Sequence, residues 1–519
     1  MELNQNKCFK ITSLFFVLIT IFYVFYASCS QRGLYLDGSY FFIMFMDRMA
    51  DGIFTIHSWI EHPRFFAFWI THMPANITGF LFRNFTDKIT YATIYSFALF
   101  AIPVLGLWWN YELTKRTKQY AVLFFSIFTY AAIILLYQIF AVTESAIGIS
   151  YQFILLNYLL GKIDYTKWDK IGILFLIIFM FGIYEYTVFI GITMFALMFL
   201  CLYDETNPKN VLTKIAIGTG SLAASVYTIF FILMSKDVQS DFGRFLVELT
   251  GFFPIWYRLH TLILFTTLFM LFVMLFYKRK KPMSTPLIIT FYGLYTFLFL
   301  KMFGNLQVYL NPIYEQHHRT IMVYLIPIIF VGIFVAKLKK IPEQKNLIEK
   351  LYIPVLLCGI TLSGWQIVTT YYWNQNVAYM KECINNCNEP LYIPSEDSGK
   401  EIASFFSPTL RRYIWNANFV STALALEPNV EIKKIILHYD NYDAEKNNPT
   451  LREQQFVVLE KGVIGMPYYG VINIKNKFWD LTEPAKALDE YNKKYSIKTK
   501  EEQFRNDIDD VVLRRKNRK

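Results

Sequence analysis

With 519 residues, 55% of them hydrophobic and 18% aromatic against 18% charged, the chain is too apolar for a soluble multidomain enzyme. Its net charge of +11 does not point to nucleic acid, because Lys and Arg gather in short clusters between apolar runs, as membrane topology requires. The composition is that of a polytopic membrane protein with no nucleic-acid partner.

Lys7 and Lys10 precede the apolar run Ile11 to Ala27, and small residues follow at Ala27-Ser28-Cys29, in the manner of a signal peptide. The run nearly reaches spanning length and many others follow it, so it reads as an uncleaved first helix. Apolar windows separated by charge-bearing breaks predict about eleven spans. They lie near 11–29, 90–110, 119–141, 145–160, 171–184, 187–203, 212–234, 259–277, 286–302, 320–336 and 351–372.

An N-terminus inside the cell makes five connections cytoplasmic: Lys115-Arg116-Thr117-Lys118, Lys162 to Lys170, Asp204 to Lys214, Lys278-Arg279-Lys280-Lys281, and Lys337 to Lys350. Each compact basic cluster between spans then obeys the positive-inside rule. Arg64 to Phe82 is apolar enough to suggest another span, but a crossing there would move the clusters at Lys115 and Lys278 outside. It is expected to lie flat on the outer surface, a choice favoured by His72 and Pro74.

The first outer loop, residues 30–89, contains the stretch Gly33 to Arg64, GLYLDGSYFFIMFMDRMADGIFTIHSWIEHPR. It packs Asp37, Asp47, Arg48, Asp51, His57, Glu61, His62 and Arg64 among bulky apolar residues. An ionisable group so close behind the end of a span is costly without a role or a partner, which singles out Asp37. Ordinary interfacial charge on an amphipathic helix is the other reading of this stretch. All seven histidines, His57, His62, His72, His260, His317, His318 and His438, fall on the outer side or at its boundary.

Glu144 in AVTESAIG and Glu185 in FGIYEYTVF sit between closely spaced apolar runs, where a tight hairpin would hold a carboxylate at the membrane surface. Each either faces the same cavity as Asp37 or marks a turn. In NLQVYLNPIYEQHHRT, the group His317, His318 and Arg319 stands directly before a span. A helix N-terminus favours anions and Arg supplies bidentate donors, so the group suits a phosphate or pyrophosphate. Interfacial anchoring and metal ligation stay open for it.

After Trp373 charges, Asn and Pro become frequent, which divides a membrane domain over 1–373 from a water-facing domain over 374–519. Strand-like stretches at Ile432 to Tyr439, Gln455 to Leu459 and Gly470 to Ile474 alternate with turn signals at Asn447-Asn448-Pro449 and Lys461-Gly462. They predict a small extracytoplasmic α/β domain, whose basic tail from Arg514 to Lys519 suits contact with anionic lipid head groups. Cys383 and Cys387 in KECINNCNEP read as a local disulfide in an oxidising compartment. Asn76-Ile-Thr and Asn84-Phe-Thr match glycosylation sequons, a short pattern that chance often produces.

An α-helical polytopic chain with this arrangement resembles the GT-C superfamily of membrane glycosyltransferases. The shared features are an acidic first outer loop, an interfacial helix behind it, carboxylates at later outer hairpins, a basic late outer loop and a C-terminal extracytoplasmic domain. In that family an acidic residue follows shortly after the first span, and LYLDGSYFF matches that position through Asp37. The resemblance covers topology over nearly the whole membrane domain, while its residue-level motif is one Asp and its surroundings. The tandem acidic pair that many members show is lacking, so no cofactor is assigned and a divalent metal ion stays open.

The resemblance implies an inverting transfer of a sugar from a polyprenyl-phosphate donor to a lipid, glycan or protein acceptor. It places the chain in a bacterial inner membrane, with the active site and C-terminal domain facing the periplasm or exterior. Such a transfer needs a carboxylate to take the acceptor's proton as the bond to the anomeric carbon forms, which is the role expected of Asp37. Cationic donors must stabilise the departing phosphate, and His62, Arg64, His317, His318 and Arg319 are the candidates. Asp47, Glu144 and Glu185 would bind sugar hydroxyls or orient the basic groups. Membrane lipids would flank the site, with the lipid tail of the donor entering between short spans.

Two other classes compete. A lipid or polysaccharide transporter or flippase would favour broken helices, ionisable groups near the midplane and an inverted repeat, and the sequence offers no convincing repeat. A glycan polymerase or ligase would carry its large loop late in the membrane domain, whereas here the richest loop comes first.

Overall fold

The computed structural model describes residues 2–34, 38–39, 42, 91–135, 144–183, 187–203, 205–234, 290, 293 and 345–386, with short strands between 391 and 473. Helix α1 runs over Glu2–Cys29, α2 over Tyr91–Thr117, α3 over Tyr120–Thr129, α4 over Glu144–Leu160, α5 over Lys167–Met180, α6 over Thr187–Tyr203, α7 over Pro208–Met234 and α8 over Lys345–Asn386. Every apolar window that falls on described residues carries a helix. The windows near 259–277 and 320–336 lie outside them, as does 286–302 apart from the helical Thr290 and Gly293.

Among the described residues, four helices are long and apolar enough to cross a membrane: Phe9–Cys29, Tyr91–Thr117, Pro208–Leu233 and Tyr352–Gln375. The others are short, and α4 and α6 coincide with the short windows near 145–160 and 187–203 that hydropathy marks. The 17 residues of α4 or of α6 rise only about 25 Å, less than the hydrocarbon thickness. Helix α3 has 10 residues before it passes into a π turn at Tyr130–Ile134. Wider turns disturb the regular ladder, and the side-chain amide of Gln366 on α8 donates to the Leu135 carbonyl just beyond, at 2.8 Å.

The chain divides into two compact units. One comprises Met1–Tyr26, Ile56–Thr71 and Ala98–Ile367, the other Ala27–Thr55, His72–Phe97 and Val368–Lys519. In the first, small residues let helices approach closely, as is common where apolar burial alone cannot drive helix association. Gly191 on α6 lies against Ser221 and Ser225 of α7, and Gly359 on α8 against Phe16 of α1 and Ala131. Aromatic rings fill the wider gaps: Tyr352 stacks on Phe124 at 5.4 Å and on Phe9 at 5.8 Å, while its hydroxyl donates to the Tyr120 carbonyl at 2.7 Å.

Polar side chains tie together one end of this unit, where α2, α4 and α6 finish and α5 and α7 begin. Asn157 on α4 donates its amide to Asn110 Oδ1 and Thr114 Oγ1 on α2, both at 2.7 Å, and accepts from the Thr117 hydroxyl at 2.6 Å. Asn207 bonds Asp164 at 3.0 Å. The buried Lys214 pairs with Glu205 at 2.7 Å. The basic connections at 115–118, 162–170 and 204–214 therefore share one cap, the grouping that the positive-inside reading requires of them.

In the second unit, Leu391–Tyr392 pairs in parallel with Ile435–Ile436. Val457–Glu460, Val463–Met466 and Gly470–Asn473 form an antiparallel sheet in that order, with Lys461-Gly462 between its first two strands. Ile435–Ile436 and Gly470–Asn473 fall inside two of the stretches that sequence patterning marks, and Val457–Glu460 overlaps the third.

Candidate functional site

The candidate site is the junction at the end of α1, because the chain leaves it directly toward Asp37. Helix α1 stops where Gln31 takes a left-handed conformation, φ 53°, a cap more often occupied by Gly. The Gln31 N–H donates to the Ser28 carbonyl at 2.9 Å, and a 3-10 turn follows over Arg32–Leu34, all three residues buried.

Two remote segments close on this turn. The Gly33 N–H donates to the Ser96 hydroxyl at 2.9 Å, and that hydroxyl donates to the Ala92 carbonyl at 2.7 Å. The Trp373 indole N–H donates to the Ser30 carbonyl at 2.9 Å, and the Asn374 amide to Ser30 Oγ at 2.8 Å. Backbone groups that the end of α1 would leave without partners are thus engaged by side chains more than sixty or three hundred positions away. Beyond the turn, Gly38 lies so close that a Cβ there would collide with the Gly33 carbonyl oxygen. Ser39 and Phe42 are fully buried, and the Phe42 ring meets Tyr95 at 5.5 Å.

Arg32 is the feature that sequence reasoning missed. It is fully buried, and a guanidinium stays charged at any physiological pH, so its removal from water is expensive unless anionic or carbonyl oxygens surround it. The signal was present in the sequence: a cation directly behind a span and five positions before Asp37. Reading the stretch as starting at Gly33 excluded it.

Asp37, Asp47, His62, Arg64, Glu185, His317, His318, Arg319 and Cys387 lie outside the described residues. Glu144 is the first residue of α4. Cys383 lies within α8 near its end at Asn386. Among the described residues no group of three or more His, Cys, Asp or Glu is placed to hold a metal ion.

The second polar constellation is the basic cap of the first unit. Thr166 and Asp169 form a capping box at the start of α5: the Thr166 hydroxyl accepts from the Asp169 N–H at 3.1 Å, and Asp169 Oδ2 accepts from the Thr166 N–H at 2.8 Å. The same carboxylate takes both Arg116 donors, at 2.9 and 2.8 Å, and the Tyr158 hydroxyl at 3.1 Å. Burial works to raise the Asp169 carboxyl, but the Arg116 guanidinium and the Thr166 donors overcome it and bring it down to about 2. A carboxylate held so firmly in its charged form is a structural counter-ion and not a proton acceptor at neutral pH.

Comparison with known proteins gives no matching family model, no matching curated protein and no matching solved structure.

Proposed function

We propose that the chain is a membrane glycosyltransferase of the GT-C kind, moving a sugar from a polyprenyl-phosphate donor to a lipid, glycan or protein acceptor at the outer face of a bacterial inner membrane. The reading includes about eleven spans and a C-terminal extracytoplasmic α/β domain. The observation that carries it is the built junction at the end of α1, where Ser96, Trp373 and Asn374 fix the turn Arg32–Leu34 by hydrogen bonds. A catalytic carboxylate must be held in place relative to its substrate, and this turn is the rigid base from which the chain continues to Asp37. The buried Arg32 adds fixed positive charge to that base, of the kind that a departing phosphate requires.

In this reading Asp37 accepts the proton of the acceptor hydroxyl as oxygen attacks the anomeric carbon, and the bond to the donor phosphate breaks. His62, Arg64, His317, His318 and Arg319 stabilise the phosphate that leaves, and Asp47, Glu144 and Glu185 hold sugar hydroxyls.

The test uses the full chain in proteoliposomes supplied with a panel of radiolabelled polyprenyl-phosphate sugars and the membrane extract as acceptor. Wild type should transfer one label, and Asp37→Asn should lose transfer at least a hundredfold while keeping its folded, monodisperse state. Transfer by Asp37→Asn at the wild-type rate would remove Asp37 as the base. Movement of an intact lipid-linked sugar across the bilayer without transfer would favour the flippase reading.

A further inference from the structure

We propose that the basic cap on α5 is a binding site for an anionic phospholipid, with the head group at Lys167 and Lys170 and the acyl chains along the exposed face of the same helix. The charge on the cap is uneven. Arg116 is neutralised by Asp169, Lys115 by Glu112 and Lys214 by Glu205. Among the described residues, Lys118, Lys162, Lys167, Lys170 and Lys209 form no ion pair and are exposed. Against them stands Asp164, bonded to Asn207. Among the described residues a surplus of positive charge therefore remains at one end of the helices, with only Asp164 set against it.

The helix beneath this surplus identifies the occupant. Asp169, Ile173, Leu176, Phe179 and Met180 form the protein-facing side of α5. On the opposite side Trp168 is 79% exposed, and Ile171, Phe175 and Ile178 follow it at helical spacing, all exposed. Lys167 and Lys170 sit at the head of that apolar stripe, within one turn of Trp168. An exposed Trp between lysines above a bare apolar face matches the amphipathic profile of a phospholipid: charged head, interfacial layer, hydrocarbon. Tyr203, 92% exposed at the end of α6, adds a second aromatic at the same cap. A free phosphate would use the lysines but leave the stripe without a role, so the charge and the apolar face together select a lipid.

The capping box explains why these groups stay in register. Asp169 fixes both the first turn of α5 and Arg116 of α2, and the lysines on either side of it are held on a rigid helix start. Binding should thus depend on lysine charge and fall with ionic strength.

Native mass spectrometry of the detergent-purified full chain, titrated with phosphatidylglycerol and phosphatidylcholine of identical acyl chains, reads the preference directly. Wild type should retain phosphatidylglycerol at least tenfold more strongly. The triple exchange K162Q/K167Q/K170Q should lose most of that selectivity, at about fivefold per lysine, while K162R/K167R/K170R keeps it. Should the triple variant not fold, the single exchanges K167Q and K170Q each carry the same expectation. Equal retention of the two lipids by wild type, or undiminished selectivity in the glutamine variants, overturns the proposal. Displacement of the lipid by inorganic phosphate at millimolar concentration would overturn the assignment to a lipid.

Discussion

Asp169→Asn removes a single charge from the most densely bonded carboxylate among the described residues. The side chain is 5% exposed and accepts from two Arg116 nitrogens, the Tyr158 hydroxyl, and both the N–H and the hydroxyl of Thr166. Hydrogen bonds to a charged group contribute about 1.5–3 kcal/mol each and a helix cap about 1 kcal/mol. These do not add fully here. Arg116 is 45% exposed and regains water when its partner is neutralised, so the ion pair is worth less than a sealed one. The expected loss is about 2–3 kcal/mol, read by reversible unfolding in mixed micelles. A double-mutant cycle with Arg116→Gln should give a coupling of about 1–2 kcal/mol. The pH dependence follows from the lowered carboxyl. Its contribution is complete above the ordinary value of 3.8 and disappears as pH falls toward about 2, and Asp169→Asn should lack that segment of the curve. A variant within about 0.5 kcal/mol of wild type, or zero coupling to Arg116, would refute the reasoning.

Three further outcomes follow from the α1 junction and its surroundings. Trp373→Phe deletes the donor to the Ser30 carbonyl and should cost about 1–2 kcal/mol of stability by thermal unfolding, with no change expected if that bond contributes nothing. Gly38→Ala places a methyl against the Gly33 carbonyl oxygen and should depress both folded yield and sugar transfer, whereas normal yield would show that the turn relaxes freely. Cys383 and Cys387 should appear as one linked peptide on non-reducing mass analysis of the protein from its native membrane, and two free thiols would contradict the proposed disulfide.

The helices were legible because membrane spans announce themselves by length and apolarity, and α1, α2, α7 and α8 carry that signal in full. Thr166-Lys167-Trp168-Asp169 carries a capping-box pattern, a hydroxyl followed three positions later by an acid, which a span placed near 171–184 by hydropathy left unused. The interior of one span was less legible. Hydropathy runs through 119–141 without a break, yet α3 gives way to a π turn at Tyr130, a change in hydrogen-bond pitch that leaves no mark on composition. The long-range closures were hidden for a different reason. Nothing in the isolated residue Ser96 or Trp373 indicates that it bonds Gly33 or Ser30, because those pairings arise from how spans pack and not from local sequence. Arg32 was overlooked because a cation at a span boundary ordinarily reaches water, and here it does not.

In the proposed topology the α1 junction opens away from the cytoplasm and the lysine cap faces it. Single cysteines introduced by Asp37→Cys or Lys167→Cys into an otherwise cysteine-free chain, treated in intact cells with a membrane-impermeant maleimide, test this directly. Position 37 should be labelled from outside and position 167 only after permeabilisation. Labelling of position 37 only after permeabilisation, or of both positions from the same side, would contradict it.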